Sequence, residues 1–169
     1  GTGWAAAPDG TTVTFSLLPP NTASAAFVGS SSCTTTGGSC SVQINTSSAG
    51  SVDIHATTTF NVLGVSLTRA TGTGGLNSAD ANKVYVDAQI DLAPLLDTNE
   101  VNEAHTITAT VQQNAGTGWT AAPNGTTVTF SLLNNTASAV FVGAVNTCNT
   151  AGGSCSVNIT TSTAGSVDI

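Results

Sequence analysis

Apolar and polar residues alternate with a period of two along most of this chain, and no long stretch repeats apolar positions every 3.6 residues. In KVYVDAQIDL, the pattern predicts Val84, Val86, Ala88, Ile90 and Leu92 on one face, with Tyr85, Asp87, Gln89 and Asp91 opposite. HTITATV turns Ile107, Ala109 and Val111 inward, and TTVTFSLL does the same with Val128, Phe130 and Leu132. ASAVFV, CSVNIT, SVDIHATTTFNV and VSLTR read as further short strands. Turn-forming clusters separate them: Pro-Asn-Gly, Asn-Asn-Thr, Gly-Gly-Ser and Ala-Gly-Ser.

The chain also repeats itself. GTGWAAAPDGTTVTFSLL at Gly1 returns as GTGWTAAPNGTTVTFSLL at Gly116, with sixteen of eighteen positions identical. The register then holds to the end: Cys33 and Cys40 match Cys148 and Cys155, and GGSCSVQINTSSAGSVDI matches GGSCSVNITTSTAGSVDI. Residues 55–115 occur once, so the sequence is one and a half copies of a unit of about 115 residues. It starts between strands and stops inside one, which leads us to expect a window on a longer tandem array. About seven short antiparallel strands per unit predict an all-β fold of tandem immunoglobulin-like β-sandwich modules. On this reading, residues 1–70 hold the later strands of one module, residues 71–82 a linker, and residues 83–169 the earlier strands of the next. Each half-module would leave an edge open to pairing, and strands from adjacent repeats or other subunits are expected to fill it.

Charge narrows the function. Lys and Arg together number 2 against 9 Asp and Glu, a net charge of −7, and charged residues make up 7% of the chain. Ordinary soluble domains carry about a quarter. Nucleic-acid binding and a polybasic membrane-surface helix both need clustered cations, which Arg69 and Lys83 do not supply. No apolar run reaches the length of a membrane-spanning segment, so no membrane insertion is expected here.

The strongest local chemistry is in the cysteines. CTTTGGSC and CNTAGGSC each place two cysteines around a Gly-Gly turn, predicting Cys33–Cys40 and Cys148–Cys155 disulfides in an oxidising compartment. A zinc site would need closer spacing and nearby histidines. Six of the nine acidic residues fall between Asp80 and Glu103, and DTNEVNE offers Asp97, Asn99, Glu100 and Glu103 as oxygen ligands for Ca²⁺ near a module junction. A solvated acidic loop accounts for the same residues. Asn45, Asn124, Asn134 and Asn158 lie in Asn-x-Ser/Thr sequons and are candidate glycosylation acceptors. His55 and His105 are the available general bases, but no nucleophile elbow or HExxH motif accompanies them, so no enzyme is expected. Trp4 and Trp119 occupy matching places, either as sugar platforms or packed over a sandwich end or the next module.

Three segments carry a family resemblance: His105–Val111 (HTITATV), Gly125–Phe130 (GTTVTF) and Ala49–Ala56 (AGSVDIHA). Their order resembles bacterial immunoglobulin-like repeats of the invasin and intimin type. That resemblance implies a prokaryotic surface or secreted protein using such modules as spacers in a stalk or filament, with copies of itself or adjacent repeats as partners. A glycan- or receptor-binding module of an adhesin is the alternative.

Overall fold

The computed structural model describes residues 3–169, and among them there is no α-helix. The chain divides into two compact units. Unit 1 takes the chain up to Asp87 together with Ala115–Gly118, and unit 2 takes Ala88–Asn114 and Trp119–Ile169. Both are built from antiparallel strand pairs.

Unit 1 contains β1 (Thr12–Leu18), β2 (Ala26–Phe27), β3 (Ser32–Thr34), β4 (Ile44–Asn45), β5 (Gly50–Val62), β6 (Val65–Ala70) and β7 (Ala81–Tyr85). Its main sheet runs β3-β1-β5-β6, with β7 also paired to β5, while β2 and β4 form a short separate ladder. The 13-residue β5 organises this sheet: one edge takes β1 over Asp53–Thr58, and the other takes β7 and β6 in succession. Gly50 begins it because the chain passes against Ala23 there; a Cβ would lie 2.4 Å from the Ala23 nitrogen. Residues 71–80 turn back within the unit, with the Gly72 amide donating to the Ser78 carbonyl.

Unit 2 contains β8 (Asp87–Ala93), β9 (His105–Asn114), β10 (Trp119–Ala121), β11 (Thr127–Thr129), β12 (Val140–Phe141), β13 (Thr147–Asn149) and β14 (Ser154–Thr160). Its main sheet runs β10-β9-β14-β12, with β8 on β9, and β11-β13 form the second, two-stranded ladder. Ile107, Ala109 and Val157 of the sheet pack against Val128 and Phe130 of the ladder segment to make the core. Alternation in β9 and β14 is as the pattern predicts, with Thr106, Thr110, Ser156 and Asn158 exposed.

The alternation fails over 84–92. Tyr85 packs inward, whereas Val84, Val86 and Ile90 are exposed. The stretch is two strands, not one. β7 pairs with β5 in unit 1, β8 pairs with β9 in unit 2, and Val86 belongs to neither, so a single face cannot serve both sheets.

The two copies of the repeat fold to different extents despite their near-identity. TVTFSLL is strand throughout as Thr12–Leu18, but only Thr127–Thr129 are strand in the second copy. The first copy lies beside residues 53–58 of β5, and the second copy has no counterpart of residues 55–58 in this chain. The converse holds for the strand after the second cysteine. It runs for seven residues as β14, paired to β9, but for two residues as β4, whose copy has no counterpart of β9. Partner supply, not local sequence, sets strand length here. Each copy therefore completes one five-stranded sheet and carries only a short ladder in place of the other.

Candidate functional site

The cysteines form the two expected disulfides, Cys33–Cys40 and Cys148–Cys155, and no free cysteine occurs among the described residues. In unit 2 both sulfurs pack at the edge of the core. Each bond closes a short loop through a Gly-Gly turn, and it argues for an oxidising, non-cytoplasmic compartment. No helix among the described residues is long and apolar enough to cross a membrane.

Asp97, Asn99, Glu100 and Glu103 lie on an exposed loop between β8 and β9. Asp97 Oδ2 sits 3.2 Å from His105 Nδ1, and among the described residues no three acidic, histidine or cysteine side chains gather as metal ligands. The sequon asparagines Asn45, Asn124, Asn134 and Asn158 are all exposed. Asn124 Oδ1 accepts from the Gly152 amide at 2.8 Å, as Asp9 Oδ1 accepts from Gly37 at 2.7 Å. That shared acceptor explains why the repeat tolerates an Asp/Asn exchange at this position.

His55 Nδ1 lies 2.8 Å from Asp80 Oδ1, and the Thr71 hydroxyl donates to the same oxygen. These two hydrogen bonds, the Thr71 bond foremost, hold the Asp80 carboxyl below its ordinary value of 3.8. The cluster ties β5 to the entry of β7. The two histidines belong to different units, His55 within β5 and His105 at the start of β9, and each is paired with one carboxylate. Trp119 begins β10 on β9 and is 42% exposed, whereas Trp4, whose copy lacks a β9, is 89% exposed. Trp4 does not pack over a sheet end.

The two copies differ in how far equivalent apolar residues are buried. Val128 and Phe130 are 5% and 3% exposed in unit 2, beneath β9 and β14. Their identical counterparts Val13 and Phe15 are only half-buried in unit 1. Val42 and Ile44 are likewise half-buried where Val157 and Ile159 are buried. The difference reverses at the end of the repeat: Val52 is fully buried, but its counterpart Val167 is half-exposed. In unit 2, a groove of about 560 Å³ opens beside Val167, bordered by Ala137, Ala139, Ile159 and the 94–100 loop. Tyr85, which closes the corresponding place in unit 1, was missed by sequence reasoning because the alternation put it on the polar face. Its being the chain's only tyrosine beside an apolar run was the available signal.

No family model, curated protein or solved structure matches the chain. The fold and disulfides define an all-β, antiparallel, disulfide-bonded protein whose residues 1–54 recur in sequence at 116–169.

Proposed function

We propose that this chain is a structural repeat segment of a secreted or cell-surface prokaryotic protein that forms an extracellular fibre, filament or adhesin stalk. Its role is mechanical, and its modules are tandem immunoglobulin-like sandwiches. The single observation that carries this reading is the reciprocal incompleteness of the two copies. One lays down the β3-β1-β5-β6 sheet and the other the β10-β9-β14-β12 sheet, so one full repeat supplies both halves of a sandwich. Such modules suit a quasi-one-dimensional array in which each repeat meets only its neighbours. Two disulfides fit an exterior setting, as does a surface of Thr, Ser and Asn in place of charge.

Electron microscopy of the native, full-length material, first with calcium and then with chelator, tests the proposal. Continuous filaments or strings of regularly spaced modules are expected. Dispersed single globular particles in both conditions would contradict it. Stiffening by calcium alone would assign the acidic loop to a junction.

A further inference from the structure

We infer that the groove of unit 2 is an acceptor for a β-strand of the β7 type, carried by another repeat of the same kind. The inference rests on the array reading above and names the contact that would join its members. Unit 1 supplies the template. There β7 lies antiparallel on the start of β5, pairing Gly50 with Tyr85, Val52 with Lys83 and Ile54 with Ala81. The Tyr85 ring packs with Ala23, Ala25 and Val52, and its hydroxyl donates to the Ile44 carbonyl at 3.3 Å. Asn82 Nδ2 donates to Asp53 Oδ1 at 2.7 Å, and Lys83 Nζ stands 5.2 Å from the Tyr85 ring centre.

Every acceptor element of that arrangement recurs in unit 2. Gly165–Ile169 repeats Gly50–Ile54 as GSVDI, while Ala137, Ala139 and Ile159 repeat Ala23, Ala25 and Ile44. The inner edge of the segment is already in place. Leu133 and Asp168 exchange both backbone hydrogen bonds, as expected from the Leu18–Asp53 pair, and Ser166 accepts from Thr136 as Ser51 accepts from Thr22. Gly165 also passes Ala137 as Gly50 passes Ala23. The outer edge is open: the backbone of Val167 makes no hydrogen bond among the described residues. In place of a strand and a tyrosine there is the groove.

An unpaired edge beside a groove lined in part by Ala137, Ala139 and Ile159 is the geometry of β-strand addition, in which backbone bonds give affinity and one inserted side chain gives specificity. The predicted register pairs Gly165 with the tyrosine, Val167 with the lysine and Ile169 with the first alanine of ANKVY. The asparagine then faces Asp168, and the tyrosine hydroxyl reaches the Ile159 carbonyl. This chain carries two GSVDI acceptors and one ANKVY strand, which unit 1 already holds, so the second occupant comes from another repeat.

The test is a titration of the intact chain with a synthetic peptide of residues 79–87, ADANKVYVD, followed by backbone NMR and amide exchange. Saturable one-to-one binding is expected with Kd below about 1 mM. It should slow exchange at Val167 and Ile169 and shift the Ala137 and Ala139 resonances. The peptide with alanine in place of its tyrosine should bind at least about tenfold more weakly. No saturable binding, equal binding of the two peptides, or protection confined to Gly50–Ile54 of unit 1 would each overturn the inference. Filaments seen by microscopy alongside a failed titration would remove this contact and leave the array reading standing.

Discussion

Single residues report most sharply on what each unit lacks. Phe15 and Phe130 occupy identical sequence, yet one is half-buried and the other 3% exposed. Phe130→Ala should therefore cost unit 2 about 3–5 kcal/mol, as for a closed aromatic core position. Phe15→Ala should cost unit 1 distinctly less. Urea unfolding of each variant checks the asymmetry, and equal losses would mean that the cores are equally closed. Asp80 gives a pH signature. Its carboxyl is held below the ordinary 3.8 by the Thr71 and His55 hydrogen bonds, so the folded form favours the ionised state. That contribution is present above the unfolded value and is lost as pH falls through the lower, folded one. Stability followed from about pH 6 down to about pH 2 should show this acid-side loss, and Asp80→Asn should flatten it. No sequence pattern pointed to this pairing, because Asp80 and His55 meet only through the turn after β6.

Strands and their connections were legible where partners are local, and misread where a partner's identity decides the outcome. Alternation in HTITATV located the first seven residues of β9, and the Gly-Gly spacing located both disulfides, since these depend on short-range geometry alone. The same alternation misassigned Tyr85 and Val86, because a run of ten alternating residues gives no mark of the point where a chain leaves one sheet for another. Nor could it separate TVTFSLL in β1 from TVTFSLL in the second copy. Two predictions belong at this scale. Replacing Cys148 and Cys155 with Ala should destabilise unit 2 by about 2–3 kcal/mol, the loop-closure value for so short a ring, as read by thermal unfolding. Gly50→Ala should destabilise unit 1 by about 1–3 kcal/mol, because the new methyl meets the Ala23 backbone, which cannot swing aside. A neutral Gly50→Ala would show that β5 enters its sheet by another path.

At the scale of the molecule, the repeat explains features that neither unit explains alone. The repeated sequence contributes strands to two five-stranded sheets, one in each unit. The half-buried Val13 and Phe15, the shortened β4 and β11, and the open edge at Val167 share one feature: each lacks a strand that lies against its counterpart in the other copy. The most direct test is to extend the chain after Ile169 with a second copy of residues 55–115 and to compare amide exchange at Ser131 before and after. The expected result is that the Ser131 amide, which donates no hydrogen bond among the described residues, becomes as protected as that of Ser16, because the added strand pairs with residues 130–133 as β5 pairs with β1. Exchange at Ser131 that is unchanged by the extension would contradict the claim that neighbouring repeat sequence completes each module.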